Sequence, residues 1–163
     1  MIEFFEIPLL EDLSAVEKFP DVADAVWYTP YIYTARDLGI VQGYYDGEFK
    51  PEQTVSRAEM LKIFIETSGI TYTDVPSESS SFTDVVVTED GPWYIQYANF
   101  AFIHGLVDRV PMLYPDSPMQ RLDAIKLLYR AEEQFGETEG WRTAVSSESE
   151  TELDASADAD HSE

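Results

Sequence analysis

The sequence contains no cysteine and only two histidines, His104 and His161, which lie far apart in the chain. The absence of cysteine excludes disulfide bonds and thiolate metal sites, and it leaves the redox compartment open. Two distant histidines also argue against a histidine-based metal site. We therefore expect this chain to use neither a metal nor another cofactor.

Long apolar runs are also missing. No run approaches the roughly 18 residues that a membrane-spanning helix needs, so we expect no membrane span. The first basic residue is Lys18, and it follows Glu3, Glu6 and Pro8. The N-terminus therefore lacks the features of a signal peptide, although a mature secreted form or an excised fragment would have the same appearance.

Basic residues are few: 10 stand against 32 acidic residues, and the net charge is -22. Seven of the acids follow Ala144 with no basic residue among them, so residues 1–144 still carry a charge of -15. Nucleic-acid binding needs clustered Lys and Arg, so nucleic acid is not an expected partner. A nearby pair of carboxylates is no sign of glycosidase chemistry in so acidic a chain. Because no nucleophile motif, phosphate loop or metal cluster is present either, we expect no enzyme.

Two segments of the chain resemble each other, residues 19–66 and residues 82–133. Phe19, Asp21, Val22, Trp27, Ala35, Gly39, Ile40, Pro51, Arg57 and Glu59 correspond to Phe82, Asp84, Val85, Trp93, Ala101, Gly105, Leu106, Pro115, Arg121 and Asp123. The second copy has an insertion before its tryptophan and a deletion in the following loop. Because insertions and deletions are tolerated in loops, this pattern indicates an internal repeat.

Each copy predicts a helix, a loop and a second helix. The first helix is expected to begin near Trp27 or Trp93 and to end at Gly39 or Gly105, where a glycine commonly follows a helix. Two amphipathic hairpins of this kind need a common core. The expected fold class is therefore all-α, built from tandem helix-loop-helix repeats.

The second helix of the first copy is expected to begin at a capping box, Ser56 followed by Glu59. We interpret this hydroxyl and carboxylate first as the capping pair and second as direct ligands. Met60, Leu61, Phe64 and Ile65 then form one apolar face, and the helix is expected to stop at Ser68–Gly69; its copy is expected to stop at Gly136.

These patterns divide the chain into five parts. We expect an N-terminal extension at 1–18, a first repeat at 19–70, a linker at 71–81, a second repeat at 82–136 and an acidic tail at 137–163. The tail has the Ser, Glu, Asp and small-residue bias of a disordered, solvated segment.

Residues 19–66 carry five motifs in order: F-P-D-V, Trp27, A-R-D-L-G-I, G-Y-Y-D-G-E-F-K-P and V-S-R-A-E. In these motifs the chain resembles the S-layer homology family. The resemblance implies a pseudo-threefold helical bundle of three repeats, which anchors exported proteins noncovalently to cell-wall polysaccharide, often pyruvylated, in grooves between repeats. It also implies an extracellular location, at the cell surface or cell wall. Because only two copies are present, we expect an incomplete bundle. Either the apolar residues 1–13 fill part of the vacancy, although Pro8 limits any helix there, or a further repeat or a second chain completes the bundle.

Arg57 occupies the first turn of its helix, where the helix dipole disfavours a cation. The resemblance offers a reason for this placement: a guanidinium beside free backbone N–H groups could clamp the carboxylate of a pyruvyl ketal. Arg121 is the corresponding residue of the second copy. There, Gln120 is a poor N-cap whereas Ser117 is a good one, which predicts a helix that starts a turn earlier and places Arg121 deeper within it.

The other candidate ligand residues each have a structural alternative. We interpret Trp27 and Trp93 first as core residues and second as flat faces for a sugar. Gly43, Tyr44 and Asp46 lie in a G-Y-Y-D-G-E-F turn, where the backbone could approach a ligand or could simply reverse direction. The complete set of expected ligand-binding residues is Arg57, Trp27, Ser56, Glu59, Gly43, Tyr44, Asp46, Arg121 and Trp93.

The expected function is thus a noncatalytic cell-surface anchoring module that binds cell-wall polysaccharide. The alternative is a protein-interaction or structural module without glycan binding. That alternative is consistent with the altered signature of the second copy and with the missing third copy.

Overall fold

The computed structural model of the chain describes residues 1–70, 72, 74–88 and 91–136. Among these residues the secondary structure consists of helices α1 (Thr29–Asp37), α2 (Arg57–Ser68), α3 (Ile95–Ile103) and α4 (Arg121–Phe135), without a strand. The all-α class is confirmed, whereas the pseudo-threefold bundle stays a prediction. The tail that was expected to be disordered, 137–163, lies outside the described residues.

The first helix of each copy begins two residues later than expected, at Thr29 and at Ile95. Neither Trp27 nor Trp93 is helical, and the residue after each tryptophan takes the N-cap position without a side-chain cap. In α1 the Thr29 hydroxyl donates to the Ala23 carbonyl at 2.7 Å, and Pro30 occupies the first turn, where its missing N–H costs little. This bond ties Thr29 to the preceding loop and leaves Trp27 outside the helix.

The ends of these helices confirm the glycine prediction. Gly39 and Gly105 have φ angles of 72° and 68°, a conformation that favours glycine. The next residue folds back in both copies, so that a backbone N–H donates to the carbonyl of Ala35 at 2.9 Å and of Ala101 at 2.8 Å. This is the hydrogen-bond pattern of a Schellman motif, and it is the same in the two copies.

The start of α4 differs from the prediction. The helix begins at Arg121 with Gln120 at the N-cap position, so Ser117 does not cap it and Arg121 lies no deeper than Arg57 does in α2. The reason is a backbone pairing: the Ser117 carbonyl accepts from the Arg57 N–H at 2.9 Å, and the Met119 N–H donates to Val55 at 2.9 Å. Residues 117–119 are therefore held extended against the residues that precede α2.

The described chain forms two compact units. Unit 1 contains residues 1–51 and 67–69, and unit 2 contains residues 52–66 together with the described residues from 70 to 136. These units do not follow the two sequence repeats. Residues 57–66 of α2 belong to unit 2 with α3 and α4, although α2 is the second helix of the first repeat.

The core of unit 1 lies under α1. Phe19, Val22, Ile32 and Tyr33 form a buried cluster. The segment before this cluster also contributes apolar side chains, because Ile2, Phe5 and Ile7 are buried. It is tied to α1 by the Leu10 N–H, which donates to the Thr34 hydroxyl at 3.0 Å, and by the Tyr31 hydroxyl, which donates to Glu3 at 2.6 Å.

An aspartate in each copy clamps the loop that precedes the second helix. The Asp21 carboxylate accepts from the backbone N–H of Phe49 at 2.9 Å and of Lys50 at 2.6 Å. Asp84 does the same with Leu113 at 2.8 Å and Tyr114 at 2.7 Å. Lys50 and Tyr114 have φ angles of 58° and 54°, which are costly for a residue with a side chain. The clamp therefore stabilises a strained turn at the same place in both copies.

Unit 2 buries its apolar side chains along three helices. Leu61, Phe64 and Ile65 of α2 and Phe100 of α3 are each no more than 2% exposed. The buried amide of Asn99 donates to the carbonyls of Pro76 and Ser79, each at 2.8 Å, and its oxygen accepts from Ser81 at 2.9 Å. Much of the predicted linker is thereby fixed to α3.

Candidate functional site

The N-terminus of α2 carries the capping box that the sequence predicts. The Ser56 hydroxyl accepts from the Glu59 N–H at 3.2 Å, and the Glu59 carboxylate accepts from the Ser56 N–H at 2.7 Å. These reciprocal bonds confirm the capping interpretation of the pair. Both side chains also line a cavity, so a ligand role for them stays a prediction.

The backbone N–H groups beside the capping box are already used. Arg57 donates to the Ser117 carbonyl at 2.9 Å, and Ala58 donates to Pro115 at 3.0 Å. The expectation of free N–H groups that form an anion pocket is therefore wrong. Any anion recognition at this end of α2 must come from the guanidinium itself.

The Arg57 guanidinium is partly engaged within unit 2. Its Nη1 lies 3.0 Å from the Asp123 carboxylate of α4, and the two side chains are 23% and 28% exposed. The Arg57 Nε is buried and has no hydrogen-bond partner among the described residues. Because a guanidinium offers five N–H donors, one ion pair does not exhaust it.

A cavity of about 350 Å³ lies at the same end of α2. It is lined by Gln53, Thr54, Ser56, Glu59, Asp116 and Pro118. Two of these residues, Glu59 and Asp116, are carboxylates, so the cavity can accept hydrogen bonds from hydroxyl and amide groups but repels anions. It has the polarity that neutral sugar hydroxyls require, and Arg57 is the nearest residue along the chain that could hold a carboxylate.

Trp27 and Trp93 are surface residues. Trp27 is 80% exposed and Trp93 is 56% exposed, so the structure places neither in the core. Each ring packs edge-on against the following tyrosine, with centroids 5.5 Å apart for Trp27 and 5.4 Å for Trp93. A second tyrosine lies four residues after each tryptophan, at 6.3 Å and 6.4 Å. The same arrangement of one tryptophan and two tyrosines thus recurs in both copies, with the tryptophan exposed in each.

The turn at 43–49 has a structural explanation. Gly43 has a φ angle of 77°, and a side chain there would meet the Phe19 ring and the Glu48 carbonyl. The Tyr44 N–H donates to Glu48 at 2.8 Å. Asp46 pairs with Lys50, which also lies 4.9 Å from the centroid of the Tyr44 ring. These contacts close a tight turn, and a ligand role for Gly43, Tyr44 and Asp46 stays a prediction.

The candidate residues fall into both units. Trp27, Gly43, Tyr44 and Asp46 belong to unit 1, whereas Ser56, Arg57, Glu59, Trp93 and Arg121 belong to unit 2. Within unit 2, the structure brings Arg57 to the first turn of α4. Arg121 is exposed, and it has no carboxylate within ion-pair distance among the described residues.

Sequence reasoning missed two contributors to this region. Asp123 was recognised only as the counterpart of Glu59, and nothing in its spacing reveals that it pairs with an arginine 66 positions earlier. Asp116 enters the cavity because residues 117–119 pair with residues 55–57, which local patterns do not predict.

Within the part of the chain that the structure covers, no helix is long and apolar enough to cross a membrane. The same residues contain no group of three or more histidine or acidic side chains arranged to hold a metal ion.

Comparison with known families agrees with these features. The family described as S-layer homology domain matches residues 18–61, a range that contains the Asp21 clamp, the capping box and Arg57. Residues 18–61 are therefore similar to an S-layer homology domain. The match does not extend to residues 82–136, so a second domain of this family there stays a prediction.

Three curated relatives are similar over a larger part of the chain. The "Middle cell wall protein" of Brevibacillus brevis is 27% identical over 97 residues, which are 58% of this chain and 9% of that protein. The "Surface-layer 125 kDa protein" of Lysinibacillus sphaericus is 26% identical over 111 residues, 65% of this chain and 9% of that protein. The "Cell surface glycoprotein 1" of Acetivibrio thermocellus is 26% identical over 132 residues, 72% of this chain and 5% of that protein. The chain thus spans less than a tenth of the length of these relatives.

Proposed function

We propose that this chain is a noncatalytic module that attaches a protein to the cell surface by binding an acidic cell-wall polysaccharide, with Arg57 as the residue that holds a pyruvyl carboxylate. The location that this function requires is extracellular, at the cell surface or in the cell wall. The family match over residues 18–61 and the names of three relatives, all cell-wall or surface proteins, support this proposal.

The single observation that carries the residue assignment is the state of Arg57. Its side chain is partly exposed and uses Nη1 on Asp123, while Nε lacks a partner among the described residues. A ligand carboxylate could share the guanidinium with Asp123 or replace it. The adjacent cavity, with Ser56, Glu59 and Asp116, would then take the hydroxyls of the same sugar.

The negative charge of the chain does not prevent this recognition. At physiological salt the Debye length is about 8 Å, so distant carboxylates are largely screened from a contact pair. A charge-assisted hydrogen bond contributes about 1.5–3 kcal/mol, which corresponds to roughly a 10- to 100-fold change in affinity. A local guanidinium can therefore outweigh the overall charge.

The test is sedimentation of the full chain with purified sacculi that carry pyruvylated polymer and with depyruvylated sacculi. We expect Arg57→Ala to weaken binding at least tenfold and Arg57→Lys to restore it only partly, because lysine lacks the planar fork. We expect Asp123→Asn to strengthen binding, because the competing carboxylate is gone. Lys62→Ala, on the same helix and without an ion pair among the described residues, is the matched control.

The Asp123 variant separates a binding role for Arg57 from a structural one. If Arg57 serves only to join α2 to α4, Asp123→Asn destabilises the fold and does not increase binding. Unchanged sedimentation of Arg57→Ala, with the fold intact by circular dichroism, would refute the assignment.

A second candidate function is supported by the exposed face of α4. In α2, Ala58, Leu61 and Ile65 are buried, at no more than 2% exposed. The corresponding residues of α4, Leu122, Ile125 and Tyr129, are 59%, 63% and 62% exposed. We propose that a further repeat or a second chain covers this face, because apolar stripes of this kind mark interaction sites. A chain that retains a surface protein but binds no sacculi would favour the interaction role over glycan binding.

A further inference from the structure

Unit 2 contains a second cavity, of about 340 Å³, where α3 ends beside the C-terminal half of α4. It is lined by Ile103, His104, Gly105, Arg109, Arg130, Glu133 and Gln134. None of these residues lines the cavity at the start of α2. This cavity therefore needs its own explanation.

Arg109 is the first indication of a ligand. Six other basic residues lie within 4.0 Å of a carboxylate: Lys18, Arg36, Lys50, Arg57, Lys126 and Arg130. Arg109, like Lys62 and Arg121, has no such partner among the described residues, in a chain with about three acids for every base, and it is the one of these three that lines the cavity. Its guanidinium instead lies over the Phe102 ring, 5.8 Å from the centroid. This contact holds the cation at the cavity and leaves its N–H donors unused by any neighbouring carboxylate.

Arg130 supplies a second, more rigid guanidinium. Its Nη2 pairs with the Asp108 carboxylate, and its Nη1 lies 3.5 Å from the Leu106 carbonyl. These two contacts fix the plane of the side chain and neutralise Asp108. Glu133 is the one carboxylate among the lining residues, and Asp108 offsets Arg130, so these two arginines and two carboxylates sum to zero in a chain that is strongly acidic as a whole.

The remaining lining groups suit hydroxyls. The His104 ring packs against Phe100 and Phe135, with centroids 4.2 Å and 5.5 Å away. Burial lowers the pKa of His104, so the ring is neutral near pH 7 and offers one donor and one acceptor. Gln134 adds an amide, and Glu133 adds an acceptor. The volume is within the range of small-molecule sites.

We propose that this cavity binds a carboxylate-bearing sugar. Arg109 and Arg130 hold the carboxylate, and His104, Gln134 and Glu133 bond to the ring hydroxyls. This inference rests on the proposed function in one respect, namely that the sugar belongs to the cell-wall polysaccharide. The site itself is separate from Arg57, so the chain would contact an acidic glycan at two places within unit 2.

The test is an NMR titration of the full chain at pH 7.5 with D-glucuronate, and with D-glucose as the neutral sugar of the same ring. His104 and His161 are the two histidines of the chain, so their ring signals are resolved and His104→Gln assigns them. We expect a saturable shift of the His104 signals with glucuronate, no shift of His161, and at least tenfold weaker binding of glucose.

Arg109→Gln removes one charge and is expected to weaken glucuronate binding at least tenfold. Lys62→Gln removes the same charge from α2 and is expected to leave it unchanged. Equal affinity for glucose and glucuronate, a His104 shift that does not saturate, or equal losses in the two variants would overturn the proposal. This result is independent of the sacculus assay: unchanged binding by Arg57→Ala refutes the proposed role of Arg57 and leaves the His104 shift intact.

Discussion

Replacing Asp21 by alanine should destabilise the chain by about 2–4 kcal/mol. The carboxylate accepts two backbone hydrogen bonds, from Phe49 at 2.9 Å and from Lys50 at 2.6 Å. Bonds to a charged acceptor contribute about 1.5–3 kcal/mol each. Two such bonds sum to about 3–6 kcal/mol. Because Asp21 is half-buried and water replaces part of each bond in the variant, we lower this range to about 2–4 kcal/mol.

The strain at Lys50 offsets part of this loss. With a φ angle of 58°, Lys50 relaxes when its N–H is released, so the turn should loosen in the variant. Burial acts to raise the pKa of Asp21, but the two backbone N–H bonds lower it, and the net pKa lies below the ordinary value of 3.8. The stabilisation is therefore fully present above about pH 4 and is lost as the pH falls through the lowered pKa.

The assay is urea unfolding of the full chain followed by tryptophan fluorescence, with Asp24→Ala as the control. Asp24 lies three residues away on the surface, and its 3.8 Å pair with Lys18 is largely exposed, so its loss should be barely measurable. Asp21→Asn keeps one acceptor oxygen, so its unfolding midpoint should lie between those of Asp21→Ala and Asp24→Ala. If Asp21→Ala and Asp24→Ala lower the unfolding midpoint equally, the clamp does not stabilise the turn and the reasoning is wrong.

Three further predictions concern α2, α4 and the second cavity. Ser56→Ala removes the N-cap acceptor of α2 and should cost about 1 kcal/mol in the same unfolding assay, whereas Ser56→Thr should cost less. Ile125→Glu should reduce self-association in light scattering, or the binding of a hydrophobic dye, and a wild-type chain that shows neither would contradict an open apolar face. Burial lowers the pKa of His104, so the unfolded chain binds this proton more readily and stability should fall as the pH drops from 7.5 to 5.5. His104→Gln should show a smaller fall in unfolding midpoint over that interval, and an equal fall would rule out this contribution.

Local features of the fold could be predicted from the sequence because each depends on residues a few positions apart. The capping box needs Ser56 and Glu59, three residues apart, and the structure contains both of its hydrogen bonds. The helix-ending glycines, Gly39 and Gly105, adopt the positive φ angles that glycine favours. The helical class follows from such signals and from the apolar period of each helix.

Other features required the tertiary structure. The start of α4 was predicted wrongly because residues 117–119 pair with residues 55–57, far away in sequence. The preferred assignment of Trp27 and Trp93 to the core was wrong, because an aromatic residue at a helix start is compatible with either core or surface. Their exposure is decided by how the loop before Thr29 is tied down and by the tyrosines that pack beside each ring.

The sequence by itself determined that the chain is helical, that it contains two related segments and that its first segment carries the signature of an S-layer homology domain. Those properties can be recognised without the tertiary structure, because they depend on residue types and their spacing along the chain. Only the tertiary structure decided that α2 joins unit 2, that Arg57 shares its guanidinium with Asp123, and that Arg109 stands beside a cavity without a carboxylate partner in the described chain. Such pairings depend on which distant segments meet. The hydrophobic effect is non-directional, so it does not select these partners, and the shapes of the packed helices do.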